Sequence, residues 1–266
     1  MKKSLVKKAA SRMVRILRSL QTIEDKWESR FSYTAVLSLP KNHPRIMTKG
    51  TTAVVFDLGV VKTGAFESDS KHFVGKVLYY IEGKEFYGKP IPEDVIYLRG
   101  GSSGLYPWDG LPPTIHSLES MGFDVVFHEQ FRISIGRDSR FYFTIAPNLC
   151  EGGYKVEDAD GFDFARLKNG NELREQFEGG VERILSDVEA GKYELEISSH
   201  AKEGTSSEAI RRIFFVQYDP TTNKGERLVA GDLDHLVLKH PTFENRKVKE
   251  LRWRDIVFYS ALDLFN

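Results

Sequence analysis

The chain has 266 residues, with 38 Lys and Arg against 38 Asp and Glu, 41% hydrophobic residues and 29% charged ones. That length and composition describe a folded body large enough to hold its own core, not a disordered chain. The single cysteine, Cys150, excludes a disulfide framework and any zinc site needing two thiolates, and zero net charge removes the simplest case for a whole-surface polyanion binder.

Neutrality hides an asymmetry. Lys2, Lys3, Lys7, Lys8, Arg12, Arg15 and Arg18 precede the first acid, Glu24, whereas residues 151–190 hold eleven acids and five bases. At the helical period Leu5, Ala9, Met13, Ile16, Leu17 and Leu20 share one face, and the cations fall largely on the other. The pattern predicts a basic amphipathic helix within residues 1–30. Three roles fit it: a helix packed on the body, a helix lying on anionic lipid or along a phosphate backbone, or an organelle-targeting presequence. Arg12, Arg15 and Arg18 interrupt the apolar stretch that a secretory signal needs, and no apolar run reaches the roughly 18 residues of a membrane span. The expected location is intracellular, in the cytoplasm. The acidic block and the basic N-terminus also suit attraction between copies, and so a homo-oligomer.

After the helix, residues 31–266 read as one β-rich body. Strands are expected at Ser32–Leu39, Thr51–Asp57, Val60–Phe66, Phe73–Ile81, Glu85–Tyr87 and Val95–Leu98, with Glu82-Gly83-Lys84 as a hairpin turn. A short helix follows over Pro113–Met121, opened by prolines and stopped by Gly122. Asp124–Phe127, Phe131–Ile135 and Phe141–Ile145 read as further strands. Asn171–Ala190 carries Leu173, Phe177, Val181, Leu185 and Val188 at helical spacing, with Gly191 as its stop and a break expected at Gly179-Gly180. Tyr193–Ile197, Ile210–Tyr218 and Arg227–Lys239 complete the strands, and residues 247–265 fit strand and helix equally. The class expected is α+β: a largely antiparallel sandwich or barrel-like core with the N-terminal helix and two helical insertions.

Motif tests leave few chemical candidates. Val54–Gly59 followed by Lys62-Thr63-Gly64 resembles the first phosphate loop of actin-like sugar and acetate kinases, which implies an Asp-x-Gly bend between two strands; the second such element is missing. Arg99–Gly104 lacks the Gly-Lys-Ser/Thr ending of a P-loop. Asp158–Asp163 breaks the calcium-loop template, with Asp163 at the glycine position and Asn169 at the glutamate position. Asp69 with Glu82-x-Lys84 has the spacing of a metal-dependent nuclease of the restriction-enzyme type, yet the triplet falls at an expected turn. Asp232-Leu233-Asp234-His235 resembles the acidic strand of nuclease-related domains, and alternation would hold Asp232 and Asp234 on one face about 7 Å apart. The Glu-x-Lys strand that should follow is absent.

The leading expectation is therefore a non-enzymatic structural or binding protein that contacts nucleic acid or an anionic membrane surface, or that self-assembles. By analogy, viral and phage assembly and transport proteins are organised this way. Its contact residues would be Lys7, Lys8, Arg12, Arg15 and Arg18, joined by the cation–aromatic run Lys247, Lys249, Arg252, Trp253 and Arg254. It needs no cofactor. The alternative is a nuclease or phosphodiesterase using Mg or Mn at Asp232 and Asp234 with His235.

Overall fold

The computed structural model describes residues 3–26, 33–49, 53–62, 70–78, 80–81, 85–86, 89–99, 111–126, 129–135, 139–197, 205–233, 236–243 and 249–250. Its elements in chain order are α1 (Lys3–Ser19), β1 (Gln21–Lys26), β2 (Tyr33–Pro40), β3 (Ile46–Lys49), β4 (Ala53–Lys62), β5 (Ser70–Leu78), β6 (Tyr80–Ile81), β7 (Glu85–Phe86), β8 (Lys89–Pro90), β9 (Val95–Arg99), α2 (Leu111–Ser120), β10 (Glu129–Ile135) and β11 (Ser139–Pro147). There follow β12 (Lys155–Asp158), α3 (Gly170–Glu189), β13 (Glu194–Ile197), α4 (Ser206–Arg211), β14 (Phe214–Asp219), β15 (Lys224–Ala230), β16 (Leu236–Lys239) and β17 (Lys249–Glu250). The fold is α+β on largely antiparallel sheet, as expected. No sheet closes on itself among the described residues. No described helix is long and apolar enough to cross a membrane.

Where the sequence suggested one body after the helix, the chain divides into two compact units. The first takes Met1–Gly104, His128–Asn148 and Val248–Asn266; the second takes Leu105–Phe127 and Leu149–Lys247.

In the first unit a six-stranded sheet runs in the order β17-β10-β11-β5-β4-β3, and a four-stranded one in the order β1-β2-β9-β6. Period-two alternation sends Phe131, Ile133, Phe141, Phe143 and Ile145 inward, and the rings of the paired Phe131 and Phe143 stack 5.5 Å apart. Helix α1 lies in this core with Leu37, Leu39, Ile96 and Leu98 of the second sheet. Its buried arc is wider than the expected stripe, because Val6, Ala10 and Val14 form a second row beside Leu5, Ala9, Met13 and Leu17. Ser11 is also buried, and its hydroxyl donates to the Lys7 carbonyl one turn back. Ala9 and Ala10 keep the helix surface flat, and Gly75 of β5 completes the fit: a β-carbon there would stand 2.8 Å from Met13 Sδ.

Several strands differ from expectation. The described parts of Thr51–Asp57 and Val60–Phe66 lie in the single strand β4, which passes Asp57–Gly59 through a bulge; residues 51–52 and 63–66 lie outside the described set. Strand β6 pairs with β9, and β7 with β8, so no described hairpin joins Phe73–Ile81 to Glu85–Tyr87; residues 82–84 lie outside the described set. Of the expected strand Asp124–Phe127, the described residues 124–126 form a bridge from Val125 to Ala230 in place of a strand; Phe127 lies outside the described set.

In the second unit β14 sits between β12 and β15, β13 pairs with β16, and α3 lies against β15. Helix α3 passes unbroken through Gly179-Gly180. Gly180 is buried, and its missing side chain admits Phe123, whose Cε1 would lie 3.0 Å from an added β-carbon. Close packing thus offsets the propensity cost that suggested a break. Ile184 takes the core position expected of Leu185. Both helix ends follow their glycine signals: at α2 the Phe123 N–H donates to the Leu118 carbonyl and the Gly122 N–H to that of Glu119, and α3 repeats this pattern around Gly191. Ile210–Tyr218 splits into α4, opened by a Thr205–Glu208 capping box, and β14. Arg227–Lys239 splits into β15 and β16.

The Met13–Gly75 contact is testable by urea unfolding. Gly75→Ala is expected to cost about 1–3 kcal/mol by overpacking and Met13→Ala about 2–5 kcal/mol by leaving a cavity. The double variant should lose clearly less than the sum, since the new methyl enters the vacated space; strict additivity would contradict the contact.

Candidate anionic-partner interface

The cations of α1 meet an open strand edge. Strand β3 covers β4 only as far as the Ile46–Phe56 pair and the bond from the Asp57 N–H to the Arg45 carbonyl. Among the described residues no strand pairs with Leu58–Lys62 on that side, so alternate carbonyls point outward there. Arg12 Nη1 donates to the carbonyls of Leu58 (2.9 Å) and Val60 (2.7 Å), and Lys8 Nζ donates to that of Lys62 (3.0 Å). The periods explain the match. Residues four apart on a helix advance about 6 Å, and carbonyls two apart on a strand about 6.6 Å. Lys8 and Arg12, read from sequence as partner contacts, therefore also close the edge of β4. Lys7, Arg15 and Arg18 are exposed on the same helix.

The bulge beside Arg12 gathers a second polar group. Asp57 pairs with Val74 and Gly59 with Phe73, which leaves Leu58 as the extra residue and Gly59 at φ +70°. Asp57 Oδ1 accepts from the Gly59 N–H (2.7 Å) and lies 2.6 Å from His72 Nε2. Burial alone would raise the Asp57 carboxyl. The hydrogen bonds from His72 and Gly59 and the charges of His72 and Arg45 outweigh it and hold the group below its ordinary value. The phosphate-loop resemblance fails here: β4 is one continuous strand, and the Gly59 amide is engaged by Asp57 instead of being presented to a phosphate. Arg45 Nη1 and Arg12 Nη1 would stand 3.7 and 3.5 Å from a β-carbon on Gly59, so two guanidinium groups converge on one point. His43 accepts from the Arg45 N–H, and partial burial followed by the Arg45 charge lowers its pKa.

The other expected sites are less complete. Asp232 is half-buried in the β15–β16 connection at φ +47°, not on a strand, so alternation no longer predicts a shared face with Asp234. Asp234 and His235 lie outside the described residues, as do Asp69, Glu82, Lys84, Lys247, Arg252, Trp253 and Arg254. Lys249 is described only as backbone in β17. Among the described residues no three His, Cys, Asp or Glu side chains group as a metal site. Cys150 is exposed, with its thiol pushed up by partial burial.

The acidic block engages cations of its own unit. Glu157 pairs with Arg166 (2.8 Å) and accepts from the Tyr218 hydroxyl; Arg166 also covers the rings of Phe162 and Tyr218 at 4.1 and 4.9 Å. Arg211 binds Glu178 through two nitrogens, reaches Asp160 at 3.7 Å and lies over Phe177. Asp163 caps the turn at Phe164–Arg166 through the Ala165 N–H. Two of the carboxylates that looked like a calcium loop, Asp160 and Asp163, thus have internal roles. Sequence reading missed Arg45 and the Asp57–His72 pair, because neither stands in a recognisable spacing.

Two measurements test this geometry. Arg12→Leu keeps the apolar stem but removes the donors, and is expected to lower unfolding stability by about 1–3 kcal/mol, more than Lys8→Met does. A loss below about 0.5 kcal/mol would mean water replaces the guanidinium without penalty. For Asp57, a carboxyl depressed in the folded state adds stability above its unfolded pKa and loses it as pH falls through the folded one. The stability gap between wild type and Asp57→Asn should therefore shrink below about pH 4. A gap independent of pH would show that ionised Asp57 has no such part.

Compared with protein-family models, with curated proteins and with solved structures, the chain matches none.

Proposed function

We propose that this is a non-enzymatic structural or binding protein that contacts nucleic acid through the cations exposed on α1. The observation that carries the reading is how the helix divides. Leu5, Val6, Ala9, Met13, Val14 and Leu17 are buried in the core, while Lys7, Arg15 and Arg18 are exposed. A helix lying in a lipid interface inserts its apolar face. To do so α1 would have to leave the sheet and uncover Phe56, Phe73, Phe141 and Phe143, each at most 1% exposed. Charge contact with a polyanion asks for no such rearrangement. From Lys7 to Arg18 the helix axis advances about 16 Å, the length of about five phosphate steps along one strand of a duplex. An intracellular setting suits that partner and a chain with one cysteine.

The test is the salt dependence of binding to labelled single-stranded and duplex oligonucleotides. Lys7, Arg15 and Arg18 are replaced together by Gln, and urea unfolding checks that the variant is folded before its binding is compared. The replacement should lower the slope of log affinity against log salt by about 2 on single strands and about 2.7 on duplex. An unchanged slope would overturn the reading. Binding to anionic vesicles without nucleic-acid binding would transfer the contact to a membrane surface.

A further inference from the structure

We propose that Asn169 is a site of spontaneous modification: deamidation through its neighbour Gly170, held off while the second unit is folded and proceeding when the start of α3 opens. Asn169-Gly170 is the one Asn-Gly dipeptide in the chain. Glycine after asparagine leaves the backbone nitrogen unhindered and able to turn toward the side chain. The Gly170 nitrogen gives up its proton and bonds to Asn169 Cγ; the Cγ–Nδ2 bond breaks, and ammonia leaves with that proton, forming a succinimide. Water then opens the ring at either carbonyl, giving aspartate or isoaspartate. Nothing is oxidised or reduced, and the only co-reactant is water.

The fold needs both residues of this reactive pair. Gly170 is buried, and a β-carbon there would collide with the Phe164 carbonyl. Asn169 is half-buried at the head of α3, yet its side chain makes no cap to the helix. Gly225 of β15 engages it instead: Nδ2 donates to the Gly225 carbonyl (3.0 Å), and Oδ1 accepts from the Gly225 N–H (2.8 Å). Beside them the Lys168 N–H donates to the Asn223 carbonyl (2.9 Å). These bonds hold Asn169 in an unreactive form. At ψ 30° the Gly170 nitrogen points away from Asn169 Cβ, whereas ring closure needs both on one side of the Cα–C bond. The Gly170 N–H is also engaged by the Leu167 carbonyl (3.1 Å). Turning Asn169 would carry the first turn of α3 off Phe164 and break both bonds to Gly225. The reaction therefore tracks the population in which this corner is open. Its products fit the closed form less well. A carboxylate only accepts, so the Gly225 carbonyl loses its donor, and isoaspartate also adds a methylene to the backbone where Gly170 already touches Phe164. A brief opening becomes a lasting loss of this contact.

The test follows the full chain in mildly alkaline buffer, with and without unfolding urea. Tryptic digestion releases residues 169–174, and fragmentation of that peptide quantifies aspartate and isoaspartate at position 169. Reaction in native buffer should be slower than in urea by at least about tenfold, which corresponds to an opening cost of about 1.4 kcal/mol. Equal rates would overturn the proposal. Gly225→Ala leaves the reactive dipeptide intact but sets a β-carbon against Leu173 and 3.1 Å from Asn169 Oδ1. Once urea unfolding confirms that this variant is folded, it should react faster than wild type in native buffer and at the wild-type rate in urea. A native rate no faster than that of wild type would contradict the part given to Gly225. A third measurement needs no variant. Protein deamidated in urea and then refolded should unfold at lower urea than protein refolded after a brief exposure, and an unchanged midpoint would refute the lasting loss.

Discussion

Much of the first unit depends on the contact between α1 side chains and the uncovered carbonyls of β4. A strand edge with regular outward carbonyls invites another strand, and proteins close such edges by several devices. Here the device is a helix. Arg12 and Lys8 satisfy Leu58, Val60 and Lys62 in sequence, and the apolar rows on the other side of the same helix fill the hollow of the sheet. One element therefore supplies both core and edge closure. The direction of α1 relative to β4 follows from the pairing, because the earlier cation meets the later carbonyl.

That arrangement also sorts the basic residues. Lys8 and Arg12, half-buried, are held by backbone acceptors, while Lys7, Arg15 and Arg18 lie where solvent or a partner reaches them. A charge count along the sequence treats all five alike. The second unit shows the complementary case: its many carboxylates suggest an acidic surface, yet Glu157, Asp160 and Glu178 engage arginines whose planes also cover aromatic rings. Cation–ring stacking with carboxylate pairing places these charges in local networks, which weakens the case for the acidic block as a long-range attractor.

Local signals in the sequence carried much of this fold. The β10–β11 strands were legible because strict alternation over Phe131–Ile135 and Phe141–Ile145 leaves one inward face. The ends of α2 and α3 were legible because Gly122 and Gly191 adopt the positive φ that helix stops require. The opening of α4 is present in the sequence as Thr205-x-x-Glu208, just ahead of the β-favouring run that begins at Ile210. What could not be read locally depends on distant partners. Gly180 stays helical because Phe123 fills its place, and β6 finds β9 across the chain. At the candidate interface the cation-rich helix was legible as a class, but its acceptors were not, since backbone carbonyls carry no side-chain signature.

The bulge shows why sequence position and chemistry separated at Asp57–Gly59. An Asp-x-Gly triplet between β-favouring runs suits either a turn that bares its amides or a bulge within one strand. The chain takes the second form because Val60 and Val61 continue the ladder against His72 and Lys71, and the burial of Val61 and Phe73 favours keeping both strands on the core. Once the strand continues, the Gly59 amide is captured by Asp57, and any anion brought to this place must be held by side chains. Arg45 and Arg12 approach the same glycine from different places, the turn before β3 and the helix that closes the edge of β4. The irregularity that interrupts the ladder thus also sets a residue without a side chain beside both guanidinium groups.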